Sequence, residues 1–270
     1  MSLLRDQPDR GRALKLHATT RGQGPTVVLV HGFTQTGASW ARVAGALETD
    51  FEVVLPDLPG HGLSPLPNSG LGLEQTAVAL GDAGGRACYV GYSLGGRCCL
   101  RLALDAPELV DRLAIIGAHP GIYEAPERLL RREEDARLAA RLEKGGDAFV
   151  PEFIESWLAG PLFAHLTEEQ ADRPHRLVNS AAGLAASLRN TGTGMQAPVW
   201  DRLGELEMPV LVIVGERDDK FRPIAERSAE SIGRNARLAV VAGAGHAVAF
   251  ERPDAFVALI REFLAADRWP

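Results

Sequence analysis

The stretch that most restricts what this chain can become is Gly91-Tyr92-Ser93-Leu94-Gly95-Gly96. It follows an apolar, β-branched run at residues 87–91 (ACYVG) and opens a stretch, Leu94–Asp105, that reads as a helix. A G-x-S-x-G pattern between a strand and a helix makes a turn too sharp for side chains beside the serine. The strained turn lifts the hydroxyl out above the sheet. The bare five-residue pattern also arises by chance, and it is the strand–turn–helix setting that gives it meaning.

The rest of the chain supplies the sheet that such a turn needs. Further apolar runs occur at residues 26–30 (TVVLV), 52–58 (EVVLPDL), 113–116, 210–214 and 238–241, each followed closely by glycine or a Pro-Gly turn. They show no polar alternation, so both faces should be buried, as in a parallel sheet. Helical stretches such as Leu94–Asp105 and Ala225–Ile232 lie between them, and that βαβ rhythm predicts a doubly wound, mostly parallel α/β sheet. Ala13–Thr20 alternates more and predicts antiparallel edge strands. The rhythm stops from about Gly121 to Asn190, where Glu127–Lys144, Phe149–Leu158 and Glu168–Leu188 read as helices. The expected organisation is therefore a core of residues 1–120 and 191–270 with a helical lid insertion at 121–190, and residues 191–196 as a flexible return loop.

A serine hydroxyl needs a base, and the base needs an acid to orient it. Past Ser93, the run ending at Val214 leads to Gly215-Glu216-Arg217-Asp218, and the run ending at Val241 leads to Gly243-Ala244-Gly245-His246. Both side chains fall just beyond the C-terminal end of a strand, where sites form in open α/β sheets. Asp218 and His246 are the expected acid and base; Asp219 is the alternative acid, and a packed loop histidine the alternative for His246. An oxyanion needs two donors. Leu94 N–H, at the start of the helix, should be one, and Phe33 N–H, in the His31-Gly32-Phe33 loop, the other. His31 should shape that turn, a second base being the weaker reading, and Trp40 either packs beneath it or belongs to the core.

Other chemistries lack their residues. There is no G-x-G-x-x-G, P-loop or H-E-x-x-H, and the 7 histidines are scattered, so neither a cofactor nor a metal is expected. A net charge of −6 argues against nucleic acid, and no apolar stretch reaches the ~18 residues of a membrane span. The N-terminal residues carry no apolar run of signal-peptide type and the 3 cysteines include no C-x-x-C pair, which points to buried thiols and the cytoplasm.

With these features the sequence resembles the α/β-hydrolase superfamily over nearly its whole length. A narrower resemblance rests on Gly91–Arg97 (GYSLGGR), 119–122 (HPGI), 127–132 (ERLLRR), 157–163 (WLAGPLF), 183–189 (GLAASLR), 192–196 (GTGMQ) and 215–221 (GERDDKF). These segments look like the 2-succinyl-6-hydroxy-2,4-cyclohexadiene-1-carboxylate (SHCHC) synthases of menaquinone biosynthesis, in lid and core alike. The resemblance implies a cofactor-free lyase that eliminates pyruvate from a succinyl- and enolpyruvyl-bearing cyclohexene carboxylate.

That substrate carries three carboxylates, so a net-negative protein must gather local cations. Arg97 follows Ser93 by four residues, one helical turn away on the same face, where a guanidinium can grip a carboxylate in bidentate fashion. The resemblance places Arg131 and Arg176 beside it as anion-binding residues, with Trp157 and Phe163 lining the lid side and Tyr92 offering a hydrogen bond. Ordinary helix-surface pairing, such as Glu127 with Arg131, and core packing are the plain alternatives for these side chains. Two rival functions use the same fold: an esterase or C–C bond hydrolase working through an acyl-enzyme, and a non-catalytic hydrolase-fold receptor, which would have no need of an intact triad.

Overall fold

The computed structural model describes residues 14–66 and 71–266. The expected absence of a signal peptide, and the start of the expected edge segment at Ala13, lie outside those residues. Seven strands form one sheet: β1 (Ala18–Arg21), β2 (Thr26–Val30), β3 (Glu52–Pro56), β4 (Ala87–Tyr92), β5 (Val110–Ile116), β6 (Val210–Gly215) and β7 (Ala236–Val241), in the order β1-β3-β2-β4-β5-β6-β7. β1 is a single edge strand, antiparallel to β3, and every other pairing is parallel. Val28 pairs with Val54 on one side and Tyr89 on the other, so the chain winds outward from β2 in both directions. The crevice at the C-terminal ends of β2 and β4 is therefore the topological switch point, the usual place for a ligand in such a sheet.

Both faces of the inner strands β2 to β6 are covered, which is why they carry apolar runs; β7, expected to be buried on both faces, is an edge strand and stays largely part-exposed. One face packs Val28, Tyr89, Leu113 and Val212 against α2 (Leu73–Gly84), α3 (Leu94–Asp105) and α8 (Arg222–Ile232). The other packs Leu29, Val90, Ile116 and Ile213 against α1 (Ala41–Leu47), α9 (Val248–Glu251) and α10 (Pro253–Ala265). Trp40 belongs to this second core, fully buried between Phe250 and Phe256. All three cysteines are free and buried there or in the first core, and burial pushes the Cys88 and Cys98 thiols up to about 12.

Between β5 and β6 lie α4 (Ala125–Gly145), α5 (Val150–Leu158), α6 (Arg173–Arg176) and α7 (Ala181–Thr191), with no strand among them. They enclose an apolar cluster of their own, including Leu142, Phe153, Ile154, Leu184 and Leu188, which Phe33 bridges to the first sheet core. The continuous helix expected over Glu168–Leu188 is broken. Asp172 takes a left-handed conformation (φ 54°), and Pro174 has no N–H to extend a helix from the preceding turn. Only the single turn α6 follows the break, and the next helix, α7, starts from Ser180, whose hydroxyl accepts the Gly183 N–H at 3.0 Å as an N-cap.

Candidate active site

Ser93 sits between β4 and α3 with φ 52° and ψ −108°, a strained conformation for a residue with a side chain. Its N–H donates to the Ile116 carbonyl at 2.8 Å, which ties the turn to β5. The flanking glycines are required by close approach. A Cβ on Gly91 would lie 2.5 Å from the Gly95 carbonyl oxygen, and one on Gly95 would lie 2.3 Å from that of Val30. The turn is thus wedged against the end of β2, the strand that leads into the His31–Phe33 loop.

Asp218 and His246 come from the turns after β6 and β7. The His246 Nδ1–H donates to Asp218 Oδ2 at 2.7 Å with both side chains buried. Asp218 also accepts the Phe221 N–H at 3.2 Å, while Asp219 is exposed, so the buried carboxylate bonded to His246 is Asp218. The Tyr92 ring packs against His246 at 5.3 Å and Phe221 packs at 4.5 Å, which holds the imidazole plane.

Ser93, His246, Phe33 and Leu94 share one cavity of about 100 Å³. Arg97, His119, Arg131, Trp157 and Lys220 complete much of its wall. The Arg97 guanidinium is buried, donates to the Gln196 side-chain oxygen at 3.2 Å, and has no carboxylate at ion-pair distance among the described residues. Its burial pulls its pKa down to about 10, still far above neutral, so a cation is held in a largely buried position on the cavity wall. Arg131 pairs not with Glu127 but with Asp135, at 2.9 Å. Burial, followed by the charges of Arg97, Lys220 and Arg131, lowers His119 to about 4, and its Nδ1 accepts the Gly121 N–H at 3.0 Å. His119 is accordingly a neutral wall residue in a positive field.

A second cavity of about 520 Å³ adjoins the first and shares Arg131, Trp157, Leu162, Lys220 and His246 with it; Phe153, Phe163 and His165 also line it. The buried Trp157 Nε1–H has no acceptor among the described residues.

Two expected site residues are not brought to the cavity wall. Tyr92 lies beneath His246 and lines neither cavity. Arg176 is buried in the insertion: its Nε donates to the Ala171 carbonyl at 2.7 Å, and its Nη1 donates to the Thr34 hydroxyl and the Phe33 carbonyl. With Asn179, which donates to the Thr34 carbonyl at 2.7 Å, it braces the Phe33 loop instead of facing a ligand. His31 is likewise a scaffold residue: Nδ1–H donates to the Gly32 carbonyl at 2.8 Å and Nε2 accepts the Leu58 N–H at 2.9 Å.

Sequence reasoning missed Lys220 and His119 as wall residues, and Gln196 as the partner behind Arg97. Lys220 follows the acid by two positions, a signal that was readable. Gln196 falls in the expected flexible return loop, yet it is buried and donates to the His119 carbonyl at 3.2 Å, which pins that segment to the core. No three His, Cys, Asp or Glu side chains converge as a metal site among the described residues, and no helix there is long and apolar enough to cross a membrane.

Residues 27–259 match the alpha/beta hydrolase family. The chain is 32% identical over 250 residues to the 2-succinyl-6-hydroxy-2,4-cyclohexadiene-1-carboxylate synthase of Enterobacter sp. (strain 638), covering 89% of this chain and 92% of that one. Among solved structures, MenH from S. aureus superposes with a TM-score of 0.84 at 28% identity, over 92% of this chain and 97% of that chain. A thermophilic esterase from Thermogutta terrifontis superposes with a TM-score of 0.76 at 26% identity, over 92% of each.

Proposed function

The chain belongs to the alpha/beta hydrolase family, and from that premise we propose that it is an SHCHC synthase, a lyase of menaquinone biosynthesis that eliminates pyruvate from 2-succinyl-5-enolpyruvyl-6-hydroxy-3-cyclohexene-1-carboxylate. The observation that carries the reading is Arg97: a buried guanidinium with no carboxylate at ion-pair distance among the described residues, on the wall of the cavity that holds Ser93 and His246. An esterase for neutral substrates gains nothing from such a group, and leaving it without a counter-charge in a largely buried position is costly. A substrate carboxylate relieves that cost.

In this proposal His246, oriented by Asp218, takes the Ser93 hydroxyl proton. Ser93 then removes the acidic ring C–H proton α to the succinyl ketone. The enolate oxygen is held by the N–H groups of Phe33 and Leu94. Collapse of the enolate breaks the ring carbon–oxygen bond, and the enolpyruvyl group leaves and regains a proton to become pyruvate. Water is not consumed. The insertion α4–α7 acts as a lid, and its apolar wall of Trp157, Leu162 and Phe163 keeps water from the enolate. Arg97, Arg131 and Lys220 hold the three carboxylates, and the Trp157 Nε1–H is available to donate a hydrogen bond. Arg176 and Tyr92 act through the residues they support, the Phe33 loop and His246.

The test is pyruvate release from the enolpyruvyl substrate, read by coupling to lactate dehydrogenase. Rapid pyruvate formation with no metal or cofactor added is the expected result. Hydrolysis of simple esters with no pyruvate formation would transfer the triad to the hydrolase reading, in which Ser93 forms an acyl-enzyme.

A further inference from the structure

The histidine loop is held by a carboxylate that the mechanism above does not use. Glu251 ends α9 and is buried, with no cation at ion-pair distance among the described residues. Its Oε2 accepts the Gly245 N–H at 2.6 Å and its Oε1 accepts the Ala247 N–H at 2.9 Å. These are the residues immediately before and after His246. A single buried anion thus grips the backbone on both sides of the base, through short charge-assisted bonds. The loop has other fastenings, since the Ala244 carbonyl accepts the Arg217 N–H at 2.8 Å, but among the described residues Glu251 is the side chain that bonds the backbone on both sides of His246. The Glu251 carbonyl in turn accepts Gln170 Nε2 at 3.3 Å, a contact from the helical insertion.

We propose that Glu251 is a positioning residue for the base: its carboxylate fixes the backbone of His246 so that the ring, already tied at Nδ1 to Asp218, presents Nε2 to Ser93. This inference rests on the Ser93–Asp218–His246 reading and not on the identity of the substrate. Burying an unpaired charge costs stability, so a loop that needed only to be folded would do as well with neutral partners. Tolerances at a reacting pair are tight, and about 1 Å of misplacement can cost about 100-fold in rate.

Glu251→Gln keeps the shape of the side chain but turns an NH₂ group toward one of the two N–H donors, so one clamp bond is lost. The measurement is the rate at which Ser93 is modified by a fluorophosphonate, in the wild type, Glu251→Gln, His246→Ala and the double variant, each checked for folding by circular dichroism. A roughly 10- to 100-fold slower labelling is expected for Glu251→Gln, with no further loss when His246→Ala is already present. In steady-state turnover the loss should fall on kcat, with KM changed less than about twofold. Should Glu251→Gln fail to fold, Gln170→Ala loosens the same loop from outside and should reduce kcat by a few-fold. Unchanged labelling in Glu251→Gln, or an equal further loss on top of His246→Ala, overturns the inference while leaving the triad standing. A wild-type Ser93 inert to the probe overturns the triad reading and this inference with it.

Discussion

Arg97 Nη1 donates to Gln196 Oε1 at 3.2 Å across 99 residues of sequence, the side-chain hydrogen bond that the buried guanidinium makes among the described residues. The amide orients the guanidinium without neutralising it, so its charge is left for a ligand. If it holds a carboxylate, Arg97→Ala should remove a charge-assisted contact worth roughly 2–4 kcal/mol in a largely desolvated site. The expected result is a fall of about 30- to 1000-fold in kcat/KM for the tricarboxylate. A neutral nitrophenyl ester should be turned over about as before. Arg97→Lys should rescue only in part, because an ammonium cannot reproduce the planar fork. Equal losses on both substrates would mean that Arg97 serves the elbow structurally.

Ser93→Ala should abolish turnover and leave the melting temperature near that of the wild type, or above it, since the strained conformation is kept and only a hydroxyl is lost. Retention of more than about a tenth of wild-type kcat, a barrier change under ~1.4 kcal/mol, would contradict the assignment. Because Ser93 works as a base in the proposed elimination, intact-protein mass spectrometry of rapidly quenched reactions should find no adduct on it.

Lys220 lines both cavities, is exposed, and forms no ion pair among the described residues. Lys220→Ala should raise KM for the tricarboxylate about 3- to 30-fold, less than the Arg97 effect because solvent screens an exposed ammonium. Lys220→Arg should recover most of the loss. The effect should shrink as salt is raised from 50 to 500 mM, roughly, and a salt-independent KM would argue against a direct contact.

Stability should fall on acidification below about pH 6.5. Burial lowers the folded-state values of His31 and His119 to about 4 and that of His61 to about 3. The unfolded chain, with histidine near 6.5, binds more protons in this range, so stability is fully present above about pH 6.5 and is lost as pH falls toward 4. Each buried histidine accounts for a few kcal/mol, roughly, of that loss. Thermal melts between pH 7.5 and 4.5 should show a steadily falling Tm, and His119→Gln should flatten the slope. A Tm independent of pH over that range would show that these rings are not buried neutral.

The strands and the turns that carry Ser93, Asp218 and His246 were legible because their signals are local. Residues 87–105 carry strand, turn and helix in one unbroken stretch, and α3 begins and ends where its apolar spacing says, at Leu94 and Asp105. Asp218 and His246 could be placed because each follows a buried strand by a short turn. The insertion was less legible. Its helices pack on one another and on Phe33, so their ends are decided by contacts that periodicity does not report, and the break at Asp172–Arg173–Pro174 went unseen although the proline was in view. Gly192–Gln196 has the composition of a loose loop, yet Gln196 is drawn inward by Arg97 and His119.

The sequence by itself determined the layout of the sheet, the serine turn and the placing of Asp218 and His246 just past strand ends, since these depend on hydrophobic runs and on glycines that backbone approach makes obligatory. Only the tertiary structure decided which cations reach the cavity. Arg97, Arg131 and Arg176 look alike as letters, but one bonds the Gln196 amide, one is paired with Asp135, and one is spent on the loop that carries Phe33. A guanidinium's role is set by the partners within a few ångströms of it, and those partners come from segments far apart in the chain, brought together by packing that no local pattern encodes.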